Sequence, residues 1–227
     1  MRQKIAMALA AVAGLLVTWN LYTIFIQVPD ELNQGAIFRI IYFHFPFAMT
    51  SFAGFFTAMF FGVAYLWKKD LRYDALAVPI TEVSFAFAIV TLITGSIWGR
   101  VIWGIWWTWD PRLTSYFICL VMYASYFMLR RAIDDPHQRA TLSAVLSIFA
   151  SLDIVFVWKS IEWYRTQHPQ PVLSFRNGGG MAPGMEAPLY WNLLAMVLLA
   201  TSLILIRMRQ ENMKREIEAL RRYAHAM

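Results

Sequence analysis

The sequence predicts an all-α integral membrane protein with six transmembrane helices, in a single polytopic domain over residues 1–227. Three observations carry this prediction: an apolar composition, six long apolar stretches, and basic residues concentrated on one side of those stretches. The chain is 59% hydrophobic and 15% charged, with a mean hydropathy of +0.49, whereas average soluble domains carry about 25% charged residues. We therefore expect this chain to lie in a lipid bilayer.

Each apolar stretch is long enough for a spanning helix, which needs about 20 mostly apolar residues. The six stretches lie at about 5–26, 45–67, 75–97, 113–129, 140–162 and 189–206. The first follows a basic Met-Arg-Gln-Lys start, as the core of a signal peptide would. Its apolar run is too long for such a core and ends in the aromatic residues Trp19, Tyr22 and Phe25, so we expect a span.

The basic residues predict the orientation. Most of the 20 lysines and arginines fall at the chain ends and after the second and fourth spans. Because cytoplasmic loops carry an excess of basic residues, both termini are predicted to be cytoplasmic. Segments at about 27–44, 98–112 and 163–188 then face outward. The net charge of +6 follows from this topology and favours contact with anionic lipid, so nucleic acid is not expected as a partner.

Residues 207–227 are predicted to form a cytoplasmic helical tail. Glu211 with Arg215, and Glu218 with Arg222, have the i,i+4 spacing of favourable helix pairs. A solvated helix is the favoured interpretation, and docking to a cytoplasmic partner is the alternative.

A tryptophan-rich segment at residues 98–115 lies between the third and fourth spans and holds five of the ten tryptophans, namely Trp98, Trp103, Trp106, Trp107 and Trp109. Indole is apolar with one N–H donor, which suits a membrane surface. An interfacial aromatic belt is one interpretation. Belts usually place one or two tryptophans at each helix end, so this density favours a built aromatic platform.

Two of the four histidines, His44 and His168, lie in the predicted outward segments on either side of this platform. Each alone is more typical of a structural histidine at a helix end, but together they point to a shared ligand. His137 and His225 fall in polar cytoplasmic surroundings and are expected to be solvated.

Haem is the ligand class that fits this pattern best. A zinc or copper site needs more protein ligands than two imidazoles, whereas haem iron needs only two axial ligands. The outward arginines could pair with the haem propionates, with Asp110 or Glu162, or reach the membrane interface; they are Arg39, Arg100, Arg112, Arg165 and Arg176. The single Cys119 and the absence of a Cys-x-x-Cys-His motif exclude covalent c-type attachment of haem to this chain.

Two acidic residues, Glu82 and Asp153, fall within predicted spans. Intramembrane carboxylates are costly and often functional. No lysine or arginine is expected opposite either one, so a protonated or hydrogen-bonded role between helices is favoured, with an ion pathway as the alternative.

The segment Trp98-Gly-Arg-Val-Ile-Trp-Gly-Ile-Trp-Trp-Thr-Trp-Asp-Pro-Arg-Leu-Thr-Ser115 resembles the WWD signature of a family of haem-handling membrane proteins. That family comprises the CcmC group (haem exporter protein C) of bacterial cytochrome c maturation and larger relatives that ligate haem to cytochromes. Length, six spans, inward termini and one outer histidine on each side of the signature resemble CcmC over essentially the whole chain.

The resemblance implies a set of site residues. His44, in a Tyr-x-His-x-Pro context, and His168, in a Trp-x-Arg-Thr-x-His context, match the two axial ligands of a non-covalent, bis-histidine haem b. Tyr164 stands where a second tryptophan is expected, and Pro111 where a small residue is commoner. The remaining implied haem contacts are Trp103, Trp106, Trp107, Trp109, Asp110, Arg100, Arg112 and Arg165. Asp110 either fixes the loop or meets the partner that takes the haem.

The resemblance also implies a function in the bacterial inner membrane. The expected activity is to bind haem at the periplasmic face and deliver it to a membrane-anchored haem chaperone (CcmE-like). Expected partners are ABC transporter subunits (CcmA-like and CcmB-like) and a small membrane subunit (CcmD-like). The alternative is a subunit that moves haem across the membrane with the ABC partners. A redox cytochrome and a haem–cytochrome ligase fit less well, because further histidines are missing. Delivery rather than enzymatic catalysis is expected, although the protein could promote haem attachment to its chaperone.

Overall fold

Six helices, each long and apolar enough to cross a membrane, form the described part of the protein and confirm the predicted fold class. The computed structural model describes residues 2–168, 181 and 184–226, with backbone alone at residues 2, 222, 225 and 226. The helices are α1 (Arg2–Tyr22), α2 (Ile41–Lys68), α3 (Leu71–Trp103), α4 (Pro111–Ala132), α5 (Pro136–Trp163) and α6 (Glu186–Ala226). A π-helical turn, Thr23–Gln27, extends α1, and a 3-10 turn, Ala36–Ile40, leads into α2.

Successive helices run in opposite directions, so the bundle has two ends with different residues. The basic end holds the start of α1, the α2–α3 and α4–α5 connections, and the C-terminal part of α6. The histidine end holds the start of α2, the α3–α4 connection and the end of α5, with His44 and His168. The tryptophan segment joins α3 to α4 at the histidine end.

The same Asp-Pro pair starts α4 and α5 at opposite ends of the bundle. Asp110 accepts a hydrogen bond from the Leu113 N–H at 2.8 Å, and Asp135 accepts one from the Gln138 N–H at 2.6 Å. Each aspartate therefore caps amide groups that have no partner within the helix. The following proline has a fixed φ that suits the first helical position.

Tyrosines and small residues build the centre of the bundle. The rings of Phe55 and Tyr123 stack with centroids 3.7 Å apart, and the Tyr123 hydroxyl lies 2.8 Å from the Ser151 hydroxyl. Buried serines and alanines line α5 where it faces α2 and α4. Small side chains let membrane helices approach closely, and the Tyr123–Ser151 pair satisfies two of the hydroxyl groups that this approach buries.

An ion-pair network at the basic end ties the C-terminal part of α6 to the bundle. Asp74 of α3 accepts hydrogen bonds from Arg130 of α4 at 2.7 and 2.9 Å and from Arg215 of α6 at 2.7 Å. Arg215 also binds Glu211 at 2.8 Å, and Glu211 is itself buried. One face of the tail is therefore not solvated, because Glu211 and Arg215 pack toward α3, whereas most of its other described side chains are exposed. The predicted partner of Glu218, Arg222, has a side chain outside the described atoms.

The intramembrane acids differ from each other. Glu82 is not isolated, because Arg207 of α6 donates two hydrogen bonds to its carboxylate at 2.6 and 2.8 Å. The prediction that no lysine or arginine lies opposite Glu82 is wrong, because α6 continues without a break past the end of the predicted span and brings Arg207 to Glu82. Asp153 lies half-buried in α5, and its Oδ2 atom has no hydrogen-bond partner among the described residues.

Two predicted outward segments are shorter than expected. Helix α3 continues through Trp103, so the connection to α4 is only residues 104–110. Helix α2 begins at Ile41, which places His44 inside the helix rather than before it. Gly104 ends α3 with φ +76°, a left-handed conformation that glycine adopts without steric cost. Most of the third segment lies outside the described residues.

Candidate functional site

His44 lies one turn into α2 and packs against one face of α3. Its Nδ1 atom lies 3.0 Å from the Thr94 hydroxyl. A Cβ atom on Gly95 would come within 3.0 Å of the imidazole Cε1, so the glycine makes room for the ring. The edge of the Trp98 indole completes the contact, with ring centroids 5.8 Å apart. Three residues of α3 thus fix the orientation of His44.

Trp98 is held by the chain that leads into α2. Its indole N–H donates to the Gln34 side chain at 2.8 Å, and its ring meets Phe38 edge-on at 6.2 Å. The carboxylate of Glu31 accepts from the backbone N–H groups of Asn33 and Gln34 and so shapes this turn. The turn before α2 therefore fixes the aromatic neighbour of His44.

His168 lies after α5 and is fixed by the α3–α4 connection. Its Nδ1 atom lies 2.8 Å from Asp110 Oδ2, and the Thr166 hydroxyl donates to the same oxygen at 2.6 Å. The Trp103 ring lies edge-on to the imidazole, with centroids 5.0 Å apart. Because Asp110 also caps α4, one carboxylate connects the start of α4 to His168.

Trp103 reaches His168 because the last turn of α3 contains glycine. A Cβ atom on Gly99 would lie 3.1 Å from Cε3 of Trp103, tighter than an ordinary contact. The indole therefore folds back over Gly99 at the end of the helix. Gly99 and Gly95 are one turn apart on α3, and each accommodates an aromatic or imidazole ring of the site.

The charges around His168 oppose one another. Burial lowers the pKa of its imidazole, Asp110 acts to raise it, and the positive charge of Arg112 acts to lower it, with a net shift downward. Burial alone would raise the pKa of Asp110. The Leu113 amide, Thr166 and His168 stabilise its carboxylate, and its pKa is lowered overall. Burial and Arg112 thus favour the neutral form of the imidazole, whereas the hydrogen bonds to Asp110 favour its charged carboxylate.

Arg112 lies near both histidines. Its positive charge lies within electrostatic range of the imidazoles of His44 and His168, and the two imidazoles lie within such range of each other. The Arg112 side chain is partly buried, and Asp110 is the opposite charge beside it. The two histidines and one arginine therefore converge on one region of the histidine end.

The donor set fits haem better than a bare metal ion. Each imidazole uses Nδ1 for a protein partner, and no described residue bonds to either Nε2 atom. Metal-binding histidines commonly have this arrangement, in which the second nitrogen is held by a hydroxyl or carboxylate. Within residues 2–168, 181 and 184–226, no three His, Cys, Asp or Glu side chains converge as a metal site. Two imidazoles suffice for haem iron, because the porphyrin occupies its other four positions.

Among the described residues, the remaining tryptophans of the segment make no ring contact with His44 or His168. Trp107 and Trp109 pack edge-on against each other at 5.6 Å and against Phe117 of α4 at 5.9 and 6.1 Å. Trp106 and Trp109 are 60% and 71% exposed. The structure therefore divides the segment into an inner part, Trp98 and Trp103, and an outer part, Trp106 to Trp109.

The predicted arginines also separate into different roles. Arg39 donates to the carbonyls of Ile24 and Val28 at 2.9 Å and pairs with Asp30, which ties the end of α1 to α2. Arg100 is exposed and donates to the Gly104 carbonyl. Arg165 is exposed as well. Arg176 lies outside the described residues. Among the arginines that the structure describes here, Arg112 is the one within electrostatic range of both imidazoles.

Sequence reasoning missed the residues that orient the histidines. Thr94 and Gln34 carry no motif and were not singled out, and neither was Thr166. Trp98 was counted in the segment but not among the haem contacts. The i,i+4 spacing of Thr94 and Trp98 places them on one face of α3, and this spacing was the available signal.

Comparisons with known proteins agree over nearly the whole chain. A family model described as Heme exporter protein C matches residues 1–223. A protein named Heme exporter protein C from Bradyrhizobium diazoefficiens is 34% identical over 215 residues, covering 93% of this chain and 80% of the relative. The protein of that name from Escherichia coli K12 is 34% identical over 206 residues, with 89% and 81% coverage. The one from Paracoccus denitrificans is 32% identical over 214 residues, with 94% and 86% coverage.

Proposed function

The chain belongs to the haem exporter protein C family, and we propose that it binds haem at its histidine end and delivers it to a haem chaperone. It is a multi-pass protein of the bacterial inner membrane. The single observation that carries the proposal is the pair of imidazoles with Nδ1 bonded to the protein and Nε2 bonded by no described residue. Bound haem supplies an iron with two axial positions for imidazole nitrogens and two negatively charged propionates.

The protein's own residues position these imidazoles before haem arrives. Thr94 and Asp110 fix the two rings, and Trp98 and Trp103 border them with apolar surface. Pre-oriented ligands bind more tightly, because less freedom is lost on binding. Arg112 supplies the positive charge that a propionate requires, and its guanidinium can bind a carboxylate in a bidentate manner.

The outer part of the tryptophan segment is the proposed surface for the chaperone. Trp106 and Trp109 are exposed at the histidine end, and exposed aromatic side chains are enriched at protein interfaces. This end faces the periplasm in the proposed topology, because the other end holds most of the basic residues. ABC transporter subunits and a small membrane subunit remain the proposed further partners.

The role in haem binding is tested by a haem titration of the purified protein with matched histidine variants. We expect His44→Ala combined with His168→Ala to abolish the bis-histidine spectrum and most bound haem, at nearly unchanged helix content. His137→Ala is the control, because this exposed histidine lies at the basic end. Equal haem content and spectrum in the double variant and the wild type would refute the ligand assignment.

Delivery is distinguished from transport by supplying haem on one side only. In proteoliposomes containing this protein and a chaperone on the outer face, haem added outside should load the chaperone. Loading only from haem enclosed within the vesicles would favour the transport alternative instead. The Glu82–Arg207 ion pair removes one of the two unpaired acids that motivated that alternative.

A further inference from the structure

We propose that Asn192 of α6 is a positioning residue for His44, acting through the backbone carbonyl of Tyr42. This inference rests on the proposed haem-binding function and names a device that keeps one axial ligand in place. The observations that carry it are the proline in α2 and a buried asparagine pair.

Pro46 removes one backbone hydrogen bond from α2. In an α-helix the carbonyl of residue 42 accepts from the N–H of residue 46, and proline has no N–H. The Tyr42 carbonyl would therefore be unpaired in a completely buried position, since Tyr42 is 0% exposed. An unpaired backbone group within a membrane costs several kcal/mol, so another donor is required.

Asn192 supplies that donor from α6. Its side-chain amide donates to the Tyr42 carbonyl at 2.7 Å. Asn20 of α1 holds the other side of the same amide, donating to Asn192 Oδ1 at 2.8 Å, and also donates to the Pro188 carbonyl at 2.7 Å. Asn20 and Asn192 are themselves fully buried. The proline of α2 is thus compensated by a polar network that joins three helices.

The network acts on the turn that carries His44. Tyr42 and His44 belong to the same helical turn, two residues apart. The Tyr42 hydroxyl makes a second bond to the start of α6, donating to the Met185 carbonyl at 2.9 Å. While α3 orients the His44 ring through Thr94 and Gly95, α6 fixes the backbone from which the ring projects. Both constraints are needed to place Nε2 in one position.

The test compares two buried contacts of α6, one toward the histidine end of the bundle and one toward the basic end. Asn192→Leu removes the amide, and we expect the haem-free protein to lose roughly 2–12 °C in Tm. We also expect about tenfold weaker haem affinity and a high-spin fraction in the ferric visible and EPR spectra. Ser202→Ala is the control, because Ser202 is buried and donates to the Ala6 carbonyl at 2.7 Å. It should lower Tm while leaving the haem spectrum and affinity unchanged.

A second substitution separates the backbone effect from the positioning effect. Pro46→Ala in the Asn192→Leu background returns an N–H to the Tyr42 carbonyl, and Tm should rise toward the wild-type value. Haem affinity should stay low, because the bond from the Asn192 amide of α6 to the Tyr42 carbonyl is still missing. A Tm that does not recover, or a haem affinity that recovers with it, would overturn the assignment.

The Tm measurements on haem-free protein test the Asn192–Tyr42 bond whether or not the protein binds haem. A wild-type protein that binds no haem refutes the proposed function, yet the Tm cycle on haem-free protein still tests the Asn192–Tyr42 bond. A wild type with a bis-histidine spectrum that Asn192→Leu retains at full affinity refutes the positioning role alone.

Discussion

The two ends of the bundle use polar side chains in opposite ways. At the basic end, Asp74 is bonded to Arg130 and Arg215, and all three charges hold helices together. At the histidine end, the imidazoles of His44 and His168 each bond the protein through Nδ1, and no described residue bonds to either Nε2 atom. Satisfied polar groups stabilise a fold, whereas a preorganised group with an open valence is available to a ligand. This difference supports the proposal that the histidine end binds the ligand while the basic end stabilises the bundle.

The two Asp-Pro caps show the same difference between the histidine end and the basic end, because both caps use an aspartate. Asp110 and Asp135 start α4 and α5 with the same local geometry. Asp110 has a second role, because its other oxygen bonds the Thr166 hydroxyl and the His168 Nδ1 atom. The Asp-Pro pair therefore only caps a helix at the basic end, whereas at the histidine end it caps a helix and also holds His168.

The largest expected effect is on stability at the basic end. Asp74→Ala leaves Arg130 and Arg215 without their shared carboxylate, and we expect a loss of about 3–5 kcal/mol in the free energy of unfolding. Haem bound per folded molecule should stay the same. Thermal unfolding and haem titration measure the two quantities. Lys159→Ala, which breaks an exposed pair with Glu162, is the control, with less than about 1 kcal/mol expected.

The next largest effect is on haem affinity, and it distinguishes the helix caps Asp110 and Asp135. Asp110→Asn keeps an oxygen for the helix cap but removes the carboxylate that holds the His168 Nδ1. We expect haem affinity to fall by about 10–100-fold with a small change in Tm. Asp135→Asn makes the same chemical change at the basic end and should leave haem affinity unaltered. Equal haem affinity in the two variants would contradict a special role for Asp110.

A smaller effect is expected at the hydroxyl that holds His44. Thr94→Val preserves shape and removes the Nδ1 partner, and a loss of up to about tenfold in haem affinity should follow. The matched variant is Thr81→Val, because Thr81 is a buried α3 threonine nearer the basic end that bonds the Ala77 carbonyl. Titrations in which both variants bind haem equally well would show that Thr94 does not orient His44.

The smallest effect on haem binding is expected in the outer tryptophans. Trp106 is exposed and is not among the rings that contact His44 or His168. Trp106→Leu should leave haem affinity within about threefold, since typical surface substitutions change free energies by ~0.5 kcal/mol, but should slow transfer to the chaperone. Trp103→Leu is the comparison and should weaken haem binding itself. Reversed effects would mean that the outer tryptophans contact the haem.

Hydropathy predicted the six helices because a spanning segment must be long and apolar. It could not predict where α3 ends, since Trp98 to Trp103 is equally compatible with a helix and an interfacial loop. Gly104, with its positive φ, ends the helix, yet Gly99 lies inside it. The Glu82–Arg207 pair depends on how far α6 continues and on which of its faces packs against α3. No local sequence pattern predicts the length of α6 or that face.

The two histidines were predicted from their position beside the tryptophan segment, and the structure brings both near Arg112. Their orienting partners were not predicted, because Thr94 acts from another helix and Asp110 from 58 residues away in sequence. The Asn192–Tyr42 bond was missed for a related reason. Pro46 predicts that the Tyr42 carbonyl lacks its helical hydrogen bond. The sequence around Pro46 does not indicate that the missing donor is Asn192, which lies on α6.

A cryo-electron microscopy structure of the haem-loaded protein tests the central claim most directly. The account predicts iron held between Nε2 of His44 and Nε2 of His168, with Nδ1 still bonded to Thr94 and Asp110 respectively. A haem ligated by any other side chain, through Nδ1, or at the basic end would contradict it.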